Sequence, residues 1–318
     1  MPGVRGLPGP VVSSSQAKKA RWLLVLGLAS VSFASILVRY CAAPALAIGF
    51  YRKALASLIL LPVILVRHKR EPWDGALQRS LLPYTLGSGA ILGLHFACWI
   101  AAIQHTTVSS ALLVMSTQPV WAGILGYLFL KEAVPRRGIL AIALSLLGVG
   151  IIAWGDMGRG ATSLLGDGLA LVSGFAAAAY LTVGRHLRQR LPLLHYLVTV
   201  YAASAACMGI AALLAGQQMT GFDQRTWLMF GLMALFPSVL GHSLVNYAIR
   251  HIEAYRVNLS ILVEPVVSTI LAALLFAEIP GPRFYIGALF VLAGVLMALW
   301  QTAPPEGPLL AVDREYLE

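Results

Sequence analysis

The chain has 318 residues, 58% of them hydrophobic and only 11% charged, with a formal net charge of +10. A soluble domain carries roughly 25% charged residues because water must wet its surface. Most of this surface must therefore meet lipid, and a water-soluble class is excluded.

Residues 1–21 are rich in Pro, Gly and Ser and end in Lys18, Lys19 and Arg21, which predicts a disordered basic tail. Ten apolar stretches follow, each near the ~20 residues a helix needs to cross ~30 Å of hydrocarbon. They run over 22–40, 44–66, 81–103, 107–130, 138–154, 165–186, 194–215, 226–249, 256–277 and 282–300. The gaps are short, so no soluble domain is inserted, and residues 301–318 form a second tail. The predicted class is an all-α polytopic membrane protein with ten transmembrane helices. Cys41, Cys98 and Cys207 have no metal-ligand spacing and read as small packed hydrophobes.

The distribution of positive charge decides its meaning. With a cytoplasmic N-terminus, inner loops and tails hold seventeen of the 23 Lys and Arg. Outer loops hold only Arg39, Arg159, Arg225 and Arg283, and Arg52 and Lys53 lie inside the second span. That asymmetry is a positive-inside signal, not a nucleic-acid footprint. It predicts a multi-pass protein of the cytoplasmic membrane with both termini inside, as an even number of spans requires.

The fourth and ninth spans carry related segments, QPVWAGILGYLFLKEAVPRR from Gln118 and EPVVSTILAALLFAEIPGPR from Glu264. Pro119 aligns with Pro265, Glu132 with Glu278, Gly148 with Gly294 and Trp154 with Trp300. GLASVS at 27–32 resembles GLALVS at 168–173, and AAIQH at 101–105 resembles YAIRH at 247–251. The chain is thus built twice, over 22–154 and 165–300. Five spans per copy is odd, so the second copy is inverted, and inverted repeats place a site near the midplane where they meet. Small residues every four positions (Gly166, Ala170, Gly174 and Ala178, and Gly89 and Gly93) predict close helix contacts.

These residues, Pro119 to Glu132 with Gly148, and Glu264-Pro265 to Glu278 with Gly294, resemble the EamA family of the drug/metabolite transporter superfamily. GFYRKALA (49–56) adds to the likeness, since the family often has Arg there. The resemblance spans about 22–300 and implies export or exchange of small metabolites, often amino acids. One departure is Gln118, which stands where the second copy has Glu264.

Charge at the bilayer centre costs at least ~2.5–3.5 kcal/mol and so faces a cavity or a partner. Glu264 shares a helical stripe with Ser260 and Ser268 and reads either as a substrate-amine or proton site or as a structural carboxylate. Arg52 and Lys53 point about 100° apart, so one enters the cavity and the other turns to a neighbour. The family likeness favours Arg52 for the cavity, with Glu264 as counter-charge. Together they could bind the carboxylate and amine of a zwitterion, or form a buried pair without substrate contact. His95 and Trp99 share a face of the third span, and His242, Asn246 and Arg250 one of the eighth, unless each histidine simply bonds a carbonyl. Pro119 and Pro265 clash with the carbonyls of Met115 and Ile261, which predicts kinks or hinges, and Gln118 could satisfy a freed group or meet substrate. Aromatics Tyr51, Trp121, Tyr180, Tyr201 and Tyr247 could line a pore or pack at the lipid interface. Glu132 and Glu278 read as capping or loop-pairing groups.

Nucleophile, phosphate-loop and H-E-x-x-H motifs are all missing from the sequence, so no enzyme, cofactor or metal is expected. The expected function is a secondary transporter exporting small polar or zwitterionic metabolites by alternating access, with proton coupling open to it if Glu264 is dry and unpaired. A facilitative channel for such metabolites is the alternative.

Overall fold

The computed structural model describes residues 14–68, 75–105, 114–156, 164–276 and 281–299. Among them every regular element is helical, as lipid demands of a chain whose backbone groups must bond within their own segment. The order is α1 (Ser14–Val31), α2 (Phe33–Arg39), α3 (Ala45–His68), α4 (Gly75–His105), α5 (Gln118–Leu125), α6 (Arg136–Asp156) and α7 (Leu164–Arg188). It continues with α8 (Leu193–Leu214), α9 (Gln224–Met233), α10 (Ser243–Ala248), α11 (Ala254–Ser260), α12 (Val263–Phe276) and α13 (Pro282–Leu299). Wider π-helical turns extend α5 over Gly126–Leu130 and join α9 to α10 over Ala234–His242.

Eight stretches of the described residues are long and apolar enough to cross a membrane. The expected fifth span corresponds to α6. The expected fourth is described only from Val114 onward, where Gln118–Leu130 is a shorter apolar helix. Glu278, Trp300, Arg159 and the second tail lie outside the described residues.

Three readings need correction. The expected N-terminal tail extends only to residue 13 at most, because α1 begins at Ser14. Gln16, Ala17, Lys18 and Lys19 are good helix formers and carry the helix past the apolar run. The ninth span is not one helix but two, α11 and α12, parted by a turn at Ile261–Leu262. Pro265 has no N–H to give Ile261, and that carbonyl instead accepts from the Glu264 N–H at 2.8 Å. Likewise Pro119 sits in the first turn of α5, directly after a turn at Ser116–Thr117. Both prolines open half-helices, where a missing donor costs least, instead of kinking continuous ones.

The break puts Ser260 on α11, while Glu264 and Ser268 stay one turn apart on α12. Ser260 Oγ donates to the Arg256 carbonyl at 2.7 Å, and Ser268 Oγ donates to the Ser32 carbonyl at 3.0 Å. Ser32 itself bonds back to Leu28 O at 2.8 Å, which bends the first span between α1 and α2.

Elements pair across the two copies in a two-fold pattern. α6 packs on α13, α3 on α8 and α5 on α11, while α4 on α7 mirrors α1 on α10 and its preceding π-turn. The α6–α13 seam makes the relation atomic. A Cβ built on Gly148 would lie 2.5 Å from Gly287 O, and one on Gly294 would lie 2.6 Å from Ala141 O. These two contacts are exchanged by the 146-residue offset. The predicted small stripes serve the same purpose: Gly89 approaches Val200 O on α8, and Gly174 approaches Met115 O.

Candidate functional site

A hollow opens where the copies meet, with about 60 Å³ open to the centres of water molecules. That is room for about four waters at ~10–15 Å³ each. Its polar lining comes from α3 (Arg52), α4 (His95, Trp99), α5 (Gln118), the π-turn before α10 (His242) and α12 (Glu264), with apolar walls such as Leu28, Leu92 and Val245. Two half-helix starts face it, since Met115 and Gln118 border one break and Ile261 and Glu264 the other.

Phe96 organises the cationic side. The Arg52 guanidinium lies 4.5 Å from its ring centroid and the Lys53 ammonium 4.4 Å from it. Lys53 is also 4.4 Å from the Tyr201 ring on α8. Arg52 thus takes the cavity, while Lys53 turns between two rings away from the lining. Arg52 Nε donates to Ser238 Oγ at 2.9 Å, and Ser238 Oγ passes its own proton to Met233 O at 3.1 Å. The wide turn containing Ser238 surrounds Pro237, whose missing donor loosens the helix there.

Arg52 and Glu264 both border the hollow, yet no ion pair joins them among the described residues. The Glu264 carboxylate sits in the first turn of α12, where the helix dipole favours negative charge.

The remaining residues divide clearly. His95 Nδ1 meets Ser173 Oγ at 2.9 Å and the Ser173 carbonyl at 3.1 Å, tying α4 to α7 while its ring borders the hollow. Gln118 Nε2 donates to Asn258 Oδ1 at 2.5 Å, crossing between the copies. Asn246 is fully buried and does not line the hollow. Its Oδ1 accepts from Tyr180 at 3.0 Å and its amide donates to His242 O at 2.7 Å, so it braces two residues that do line it. Of the aromatics considered, Tyr180 lines the hollow and Tyr201 flanks Lys53. Tyr51 stacks on Phe230 and donates to Met219 O at 2.6 Å, Trp121 packs on Phe175, and Tyr247 packs on His251.

One end of the bundle is fastened by a second polar group. Arg185 pairs with Glu132 and donates to the carbonyls of Ile249 (2.9 Å) and Ile252 (2.7 Å). Glu132 also accepts from the Ala254 N–H at 3.3 Å, which makes it the loop-pairing group its position suggested.

The EamA-like transporter family model matches residues 18–154 and again 164–300. The chain belongs to that family. A transporter of Archaeoglobus fulgidus described as uncharacterized is 27% identical over 86% of this chain and 94% of its own. YyaM of Bacillus subtilis, also described as an uncharacterized transporter, is 25% identical over 78% and 82%. The uncharacterized inner membrane transporter YedA of Escherichia coli is 24% identical over 84% and 86%. A solved crystal structure superposes with a TM-score of 0.74 over 89% of this chain and 97% of that one. At 15% identity it speaks for the EamA-like fold alone.

Sequence reasoning missed Phe96, Asn258 and Ser238. Phe96 and Trp99 are three apart on α4, a spacing that puts two aromatics on one face. Ser238 beside Pro237 was the visible sign of an irregular turn.

Proposed function

We propose that this EamA-family membrane protein is a secondary transporter that exports small polar or zwitterionic metabolites, such as amino acids, by alternating access. The observation that carries the reading is the shared hollow, to which both sequence copies contribute polar side chains deep in an apolar bundle. Ten spans in two inverted five-helix units, with both termini cytoplasmic, suit the charge distribution of the loops. In this reading Arg52, His95, Trp99, Gln118, His242 and Glu264 meet substrate, and Asn246 holds His242 and Tyr180 in place.

The breaks before Gln118-Pro119 and Glu264-Pro265 serve as pivots, because half-helices can tilt without losing a continuous ladder of bonds. Glu132 and Arg185 close the cytoplasmic end, fastening a loop of the first copy to the second. Glu264 couples transport to protons: its carboxyl faces the hollow without a partnered cation.

Reconstitution in proteoliposomes tests the reading. Saturable uptake accelerated by substrate on the far side marks a carrier, whereas ohmic flux would replace it with a channel. Export of labelled amino acids from overproducing cells identifies candidates. Transport rates independent of pH in both the native protein and Glu264→Gln would remove the proton.

A further inference from the structure

The hollow is lined by donors that lack partners. Among the described residues, Arg52 Nη2, Trp99 Nε1 and Lys53 Nζ are buried without a hydrogen-bond partner. Arg52 and Trp99 line the hollow, and Lys53 stands directly behind Phe96. Arg52 is 1% exposed and Lys53 0%, so both cations are withdrawn from bulk solvent. A buried donor left unmade is costly, so the Arg52 and Trp99 donors that line the hollow favour an occupant that supplies acceptors.

The charges point the same way. Two cations border one phenyl ring, and among the described residues the lining contains a single carboxylate, Glu264. Glu264 stands in the first turn of α12, where the helix dipole favours its charge. One negative charge is therefore missing from the cluster. The positive ends of α5 and α12 face the same space, a further pull on an anion. The walls beyond Arg52 and Trp99 are aliphatic, with Leu28, Val31, Leu92 and Val245.

We infer that the site selects small organic carboxylates with an apolar body, held by Arg52 and Trp99, and that an amino group on the substrate is dispensable. This rests on the transporter reading and narrows it from polar metabolites in general to monoanions. Trp99 contributes through its N–H and Arg52 through its unpartnered Nη2, two donors for the two oxygens of a carboxylate, one of them charge-assisted.

Binding to the purified full-length protein in lipid nanodiscs, by titration calorimetry, tests it with three isosteric probes: 3-methylbutanoate, valine and valinamide. The carboxylates should bind within about threefold of each other, and valinamide should bind at least tenfold more weakly. Trp99→Phe keeps the ring and removes the donor. It should weaken both carboxylates about tenfold, as loss of a hydrogen bond to a charged group does, and leave valinamide unchanged. Equal affinity for valinamide and valine, preference for valine over 3-methylbutanoate by tenfold or more, or no binding of either carboxylate overturns the inference. Saturable carriage of cations or neutral sugars would overturn it too and leave the carrier standing. Absence of any flux with carboxylate binding intact would sink the carrier and leave the site.

Discussion

Ser145 on α6 donates its hydroxyl to the carbonyl of Val291 on α13 at 3.4 Å, and the two residues are 146 positions apart. That separation is the offset between the sequence copies, so Ser145 meets its own counterpart. The pair lies on the pseudo-two-fold relation, with the Gly148–Gly287 and Gly294–Ala141 contacts disposed around it.

Close approach on this seam leaves no room for a methyl group. Gly148→Ala puts a Cβ against the Gly287 carbonyl and should cost about 1–3 kcal/mol, the usual penalty of overpacking. Gly150→Ala, on the same helix with nothing within 4 Å, should be neutral. Thermal unfolding of the two variants in detergent compares them, and equal melting would refute the tight seam.

The Phe96 ring supports two cations at once. Phe96→Leu preserves an apolar side chain but removes the π face, and should destabilise the protein by about 1–2 kcal/mol. Lys53→Met in the same background should recover part of that loss, since it removes one of the stranded charges. A double-mutant cycle measures the coupling, and additive effects would deny the ring its role.

The Glu132–Arg185 pair is partly shielded, with side-chain exposures of 21% and 14%. Glu132→Gln should cost about 1–2 kcal/mol, between the values for exposed and buried pairs. Arg185→Ala should cost more, because it also strips donors from the Ile249 and Ile252 carbonyls. Chemical denaturation of the two variants ranks them, and the reverse order would contradict this geometry.

Exchanging the charges, Arg52→Glu with Glu264→Arg, should not restore what either change loses. Arg52 is fitted to Ser238 and Phe96 rather than to Glu264, so the swap leaves both contacts broken. Recovery of folding and transport in the double variant would indicate a direct structural pair instead.

Cys41, in the loop before α3, offers a pH measurement outside the spans. Burial pushes its thiol up to about 11, and the charge of Asp223 acts in the same direction. At pH 8 its thiolate fraction should be about a hundredfold below that of an unperturbed thiol, since only the thiolate reacts. Maleimide labelling at Cys41 should still rise about tenfold per pH unit up to pH 10, and Asp223→Asn should raise the rate at pH 8. A plateau near pH 9 would show an ordinary thiol.

The duplication, the breakers and most of the polar residues lining the hollow were legible because they are conspicuous in oil: a charge, an amide, an imidazole or a proline in an apolar run. Arg52 and Glu264 stood out for that reason, but the gap between them did not, because distance across a cavity depends on helix placement rather than spacing. Phe96 escaped notice since one more aromatic in a chain 58% hydrophobic is unremarkable until two cations are seen on it. Asn246 fell on the right face, yet the Tyr180 hydroxyl claims its Oδ1 and the His242 carbonyl its amide before the hollow can. The turn at Ile261–Leu262 cut Ser260 off from the stripe, so it bonds back within α11, while Glu264 and Ser268 stay together on α12.

Ser268 lies one helical turn beyond Glu264 and holds the carbonyl at the bend between α1 and α2. The tether makes α12 a lever whose short arm ends at the hollow and whose long arm grips the first span. Whatever displaces the Glu264 turn must flex that distant elbow as well, so occupancy is felt by a helix that supplies no charge to the site.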